Sequence, residues 1–362
     1  MATSTKPPAN AFVARARKVY NPVGFAKGYN FILWFIFVGA LFGFALSRLE
    51  YLNFWGVFCN PDEGPGQGAL PGECLYYTEQ RRYQIGIILH LATVVPGSLL
   101  ACFQFVPVIR HKVILVHRIN GYIVTLLSFV GTAAAIVIAR RSAGGGVEVQ
   151  ILVGLVAIFF LGSLVIAIVN IKRLQIEQHR AWMIRAWAYG GAIITLRIGL
   201  IVGAIVVSSI GGYYLAEPCD KINYALHGQD ATLSFYPECA SFFSGENPEQ
   251  QAIVKANYNG NNAIEVGAAF NIVFGAAGWL AIALHAFGAE LYLRLTPSEH
   301  DRLRNVSYQR QLEAGMKNPG RGGLTADRLG DAVRWAPQSA AGTESDGGET
   351  LKEPTKLIPS AS

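Results

Sequence analysis

Uniformly apolar stretches alternate with polar loops along most of the chain, and six of them reach membrane-spanning length: 29–47, 84–106, 116–138, 150–171, 182–210 and 263–293. At a rise of 1.5 Å per residue, about 20 residues cross a hydrocarbon core of about 30 Å. A soluble fold needs shorter, striped helices, and barrel strands alternate in period two; these blocks do neither. In lipid, backbone polar groups are satisfied only inside helices or closed barrels. The pattern therefore predicts an all-α, polytopic transmembrane bundle of about six spans. Its organisation reads as a basic N-terminal segment (1–28), a six-helix transmembrane domain (29–295) and a disordered tail (296–362), the last rich in glycine and polar residues.

Composition agrees: 52% of the 362 residues are hydrophobic and 15% charged, against about 25% charged in soluble domains. Charge then orients the bundle. The N-terminal segment carries Lys6, Arg15, Arg17, Lys18 and Lys27 and no acidic residue, so the positive-inside rule places it in the cytoplasm, and six spans return the C-terminus to the same side. The loops 49–83 and 211–262 then face outward with Asp62, Glu63, Glu73, Glu217, Asp220, Glu238 and Glu246. Arg140 and Arg141 fall in an outer loop and run against the rule.

Four of the five cysteines lie in those two outer loops, Cys59 and Cys74 in the first, Cys219 and Cys239 in the second. Paired thiols on one side suit disulfides in an oxidising lumen. Pairing within each loop is expected, with pairing across the loops as the alternative. Together these readings place the chain in the secretory pathway or plasma membrane. The basic charge (+6) reflects cytoplasmic anchors and termini and is not read as nucleic-acid binding. No phosphate-binding glycine loop, Gly-x-Ser-x-Gly elbow or His-Glu-x-x-His zinc motif is present, and no metal site is expected. Gly144–Gly146 reads as a short turn.

Ionisable groups inside spans are costly and mark function or helix pairing. His90, Arg197 and Asn271 fall in the outer half of their spans, His90 about 9 Å deep by rise per residue, with Glu265 nearer the surface. His117 and Arg118 open the third span, His179, Arg180 and Arg185 open the fifth, and His285 returns to the same inner level. Interfacial Arg and His also serve as snorkelling anchors, and a buried Arg–His pair also serves as a tie between helices.

These residues carry a resemblance. Leu89-His90 with Gln104-Phe105, His117-Arg118-Ile119-Asn120-Gly121, and His179-Arg180-Ala181-Trp182-Met183-Ile184-Arg185 with Thr195-Leu196-Arg197 resemble, in order, the motifs of the domain-of-unknown-function 2306 membrane family in its fungal form. Many members have Arg after the motif glycine where this chain has Tyr122. The resemblance implies the topology and makes the histidines part of a motif; it implies no activity.

Three functions fit. One is a haem-binding redox protein, with His117, His179 and His285 as axial ligands and Arg118, Arg180 and Arg185 pairing with propionates; the two-histidine helix of b-type cytochromes is absent. A second is a cofactor-free membrane enzyme on an apolar, secondary-metabolite-like substrate, with His90 or Glu265 carrying the proton and Arg197 clamping an anion. The third is a small-solute or proton transporter, or a structural membrane protein, whose only sure partner is the lipid bilayer. The sequence leaves open whether the chain is an enzyme.

Overall fold

The computed structural model describes residues 7–60 and 68–337. Asp62 and Glu63, Lys6, and the part of the tail beyond 337 lie outside the described residues.

Six helices are long and apolar enough to cross a membrane, and the protein is a multi-pass membrane protein. They are α2 (Gly28–Leu46), α4 (Arg81–Gln104), α6 (Ile114–Ile138), α7 (Val147–Lys172), α8 (Ile176–Ile210) and α12 (Ala263–Arg294). Shorter elements fall between them in chain order. α1 (Ala11–Val23) precedes the first span; α3 (Glu73–Glu79) and α5 (Pro107–Lys112) flank the second; β1 (Tyr214–Pro218), α9 (Cys219–Leu226), α10 (Gln229–Phe235), α11 (Ala240–Phe243) and β2 (Gln251–Lys255) fill the loop between α8 and α12. α13 (Pro297–Glu313) and α14 (Ala326–Leu329) follow the last span.

All six spans stand where the apolar blocks put them, and the boundaries differ for physical reasons. α8 begins six residues before the expected 182, because the polar run Ile176–Ala181 continues the helix beyond its apolar part. α1, unexpected in the basic segment, is capped by Asn10, whose side chain accepts from the Val13 amide at 2.9 Å, a helix-start device. Lipid-facing positions are left bare: Leu126, Ile158, Ile198 and Phe287 are 61–69% exposed, as expected where the solvent is hydrocarbon. α12 is the most enclosed span and α2 the least.

The described residues form two compact units, one containing all of the chain up to Val169 together with His179–Thr296, the other Asn170–Gln178 with the chain from Pro297. In the first unit the two loops between spans are folded. β1 and β2 pair antiparallel, Tyr214 opposite Lys255 and Pro218 opposite Gln251. Over this ribbon, Cys219, Cys239, Ile222, Tyr236, Val254, Ile264 and Ala268 close a buried core. A second core gathers Phe54, Phe58, Cys59, Leu75, Tyr76, Tyr77 and Tyr83. Each core holds one disulfide, Cys59–Cys74 and Cys219–Cys239, so pairing runs within the loops.

In the second unit, the expectation of disorder from 296 onward is corrected as far as residue 337. α13 has little apolar surface to bury and is held by polar ties instead. Ser307 accepts from the Ile176 amide at 2.8 Å and donates to Glu177 at 2.5 Å; Gln311 donates to the Arg173 carbonyl at 3.2 Å; Arg304 pairs with Asp327 at 2.6 Å and stacks under Trp335. Side-chain-to-backbone bonding of this kind leaves no hydropathy signal, which is why the sequence reads as unstructured there.

Candidate functional site

His90, His179 and His285 each tie two helices together. His90 Nδ1, in α4, donates to the Gly131 carbonyl of α6 at 2.9 Å. His179 Nδ1, in α8, donates to the Ala167 carbonyl of α7 at 2.9 Å. His285 Nδ1, in α12, donates to the Ala188 carbonyl of α8 at 2.7 Å, which leaves its Nε2 to accept from the Thr195 hydroxyl at 2.8 Å. Other motif residues act likewise: Gln104 donates to the His117 carbonyl at 3.2 Å and Asn120 to the Leu100 carbonyl at 2.9 Å. A span cannot leave a polar side chain unpaired in lipid, and backbone carbonyls of neighbouring helices are the partners at hand.

The inner-edge residues also make bonds of their own. Both ring nitrogens of His285 are in use. His117 lies within electrostatic reach of His179, and its Nδ1 is buried with no hydrogen-bond partner. Arg185 pairs with Glu290 at 2.5 and 2.9 Å and lies over Trp182. Arg180 donates to the Tyr292 hydroxyl at 3.2 Å, which in turn donates to Asn30 at 3.0 Å. Arg118 is exposed. Among the described residues no group of three or more His, Cys, Asp or Glu is placed to hold a metal ion.

The outer-half residues are drawn elsewhere. Asn271 donates to Glu217 at 2.9 Å, and the same carboxylate pairs with Lys221 at 2.8 Å; all three are buried. Glu265 closes the start of α12, where Asn262 and Glu265 exchange a backbone and a side-chain bond at 3.0 and 3.4 Å. The Asn262 side chain thus caps the helix and donates to the Glu265 carboxylate. Arg197 lies against the Phe274 ring at 5.9 Å from its centroid and within electrostatic reach of Glu73 and Tyr77.

Glu73 is the residue sequence reasoning missed. It opens α3 and is buried, only 6% exposed. Its carboxylate accepts from the Ala143 amide and from the Leu70 amide at 3.3 Å. Burial pushes its pKa above the usual value; the Ala143 amide, Lys221, the Leu70 amide and Arg197 pull back without cancelling it. Tyr77, one turn on, hydrogen-bonds Ser142 at 2.7 Å, and burial with the neighbouring Glu73 carboxyl drives its phenol well above the ordinary range. The backbone that meets Glu73 is the turn Ala143–Gly145. Gly144 and Gly145 hold φ of 77° and 61° and Ala143 a φ of 50°, a conformation cheap for glycine and rare for alanine. Only acidic character in a loop signalled Glu73, and nothing in the sequence brings residue 73 to residues 143, 197 and 221.

Beside this cluster is a cavity of about 450 Å³, lined among others by Tyr76, Arg140, Arg141, Glu217, Lys221 and Asn271. Ala143 and Lys221 form part of its wall, so Glu73 sits directly behind it. Lys221 and Glu217 line the cavity, while Glu73, Tyr77 and Arg197 lie outside its lining; buried groups of these kinds can move protons and stabilise a developing negative charge.

Known proteins bear on this geometry in three ways. Residues 87–217 match the family model described as "Predicted membrane protein (DUF2306)", which shows the family resemblance over that stretch. Arg197, Ser142 and Glu217 lie inside it; Glu73, Tyr77, Lys221 and Asn271 lie outside. A protein of Aspergillus versicolor named "Ava biosynthesis cluster protein G" is 23% identical over 341 residues, covering 82% of this chain and 97% of that protein. No solved structure matches.

Proposed function

We propose that this membrane protein is an enzyme that performs acid–base chemistry, without a bound cofactor, on a small apolar metabolite. The observation that carries the reading is Glu73: a carboxyl buried between the loops of a membrane bundle, within electrostatic reach of Tyr77 and Arg197 and bonded to the Ala143 amide in the wall of a cavity. Burial disfavours the charged form, so Glu73 keeps its proton at pH values where a free carboxyl has lost it. Arg197, fixed in α8, supplies the charge that stabilises an enolate- or alkoxide-like oxygen as the proton moves. His90 keeps a positioning role in this scheme, through its bond to Gly131, rather than carrying the proton. A relative named for a biosynthesis cluster supports a metabolite as substrate, and the apolar surface of the spans gives such a molecule a route from the lipid phase.

The test is metabolite profiling of cells expressing the wild-type chain or Glu73→Gln at equal abundance in the membrane. The substitution keeps size and removes the transferable proton. We expect the product to fall by at least about a hundredfold, the scale of a lost general acid or base, while its precursor accumulates. An unchanged profile contradicts the proposal.

A further inference from the structure

Arg140 and Arg141 are the residues that the charge rule leaves unexplained. They close the helical run that follows α6, at the opposite end of the span from His117 and Arg118. Topology gives no reason for a basic pair there. The structure places both in the wall of the cavity beside Glu73.

Neither has an acidic partner among the described residues. Arg140 donates to the Gly145 carbonyl at 3.2 Å. Arg141 lies over the Tyr76 ring, its guanidinium carbon 4.3 Å from the centroid, and its Nε is buried with no hydrogen-bond partner. A buried donor left unmade is costly, and at the wall of a cavity a ligand can complete it. The other charges of the cavity are Lys221, Glu217 and Glu148. Glu217 is neutralised by Lys221 and bonded to Asn271, and Glu148 is exposed. The lining thus carries three basic residues against two acidic ones, with Asp220 within electrostatic reach of Tyr76. Stacking on Tyr76 holds one face of the Arg141 guanidinium and leaves its edge, the five-donor fork that matches an oxyanion, for a ligand. The lining also includes Leu215, Ala216, Pro218 and Ile272, which suits an apolar body.

We infer that this cavity binds the oxyanion head, a carboxylate or phosphate, of an amphiphilic small molecule, with Arg141 as the fork and Arg140 as a second charge. The inference rests on the enzyme reading insofar as that molecule is the substrate, and it adds the substrate class: an acid with an apolar body, held by its head so that the body reaches toward Lys221 and the wall backed by Glu73.

Ligand-detected NMR titration of the detergent-purified full chain tests it, with hexanoate, its neutral counterpart hexanamide, and inorganic phosphate as probes. Hexanoate binds saturably and hexanamide at least about tenfold more weakly, the scale of one hydrogen bond to a charged group. Arg141→Gln weakens hexanoate about tenfold or more, and Arg141→Lys, which keeps the charge and loses the fork, falls between. Displacement of hexanoate by phosphate extends the site to phosphate heads; failure to displace it restricts the head to carboxylate. Equal binding of hexanoate and hexanamide, or unchanged hexanoate binding in Arg141→Gln with the fold intact, overturns the inference. Glu73→Gln separates the two proposals. If it leaves both metabolites and hexanoate binding unchanged, the enzyme reading fails and the anion site stands; if Arg141→Gln binds hexanoate normally while Glu73→Gln abolishes product, the reverse holds.

Discussion

Replacing Lys221 by methionine will destabilise the folded loops by about 3–5 kcal/mol, the scale of breaking one side of a buried ion pair. Lys221 and Glu217 face each other at 2.8 Å with side chains 4% and 5% exposed. Removal of the amine leaves a carboxylate in the interior with only the Asn271 amide to satisfy it. The penalty is mainly that of the stranded charge, so the double variant Lys221→Met with Glu217→Gln will recover most of the loss, since replacing a buried pair as a whole is often nearly neutral. Thermal unfolding of the detergent-purified protein across this double-mutant cycle measures it. A single variant as stable as wild type would mean that water reaches Glu217.

The second large effect belongs to the Cys219–Cys239 disulfide. It spans 20 residues, and both sulfurs sit in the core between the strand pair and the start of α12, fully buried. Replacing both cysteines by alanine removes the constraint on the unfolded loop, about 3 kcal/mol for a loop of this length, and empties space that Ile222, Val254 and Ile264 do not refill. The variant will show a lower thermal midpoint and hydrogen exchange in 214–262 approaching that of an unfolded segment, while exchange within α6 and α7 stays slow. An unchanged midpoint would show that the packing of the apolar side chains alone holds this loop.

Both effects arise in loops, and the loops are where the sequence said least. The spans were legible because hydropathy over some 20 residues is a strong, local signal. The disulfides were legible because two cysteines in each of two loops leave few pairings. The histidines were legible as polar groups inside spans, but their partners were not: at Leu89-His90 or His179-Arg180 the sequence shows an imidazole at a given depth but not the carbonyl of Gly131 or Ala167 on the neighbouring helix that accepts its hydrogen bond. Asn271 was legible as a polar residue inside a span, yet its partner Glu217 lies 54 residues away in sequence. Glu73 was read only as one acidic loop residue among seven. Its burial depends on the turn Ala143–Gly145, which reached the sequence level as nothing more than a run of glycines. In the tail, α13 escaped notice because its order comes from Ser307, Gln311 and Arg304 bonding polar groups, not from an apolar face.

The central claim is that a carboxyl holding its proton unusually firmly stands behind the cavity and against Arg197, and it can be observed directly. Infrared titration of the purified protein follows the protonated carboxyl stretch band that disappears in Glu73→Gln. Because burial raises the pKa of this group above the ordinary 4.5, the band will persist above pH 4.5 and fade only as the pH rises through the folded-state value. Stability linked to the bound proton is complete below the ordinary value and lost over the same rise. A band assigned to Glu73 that has already vanished by pH 4.5 would contradict the account.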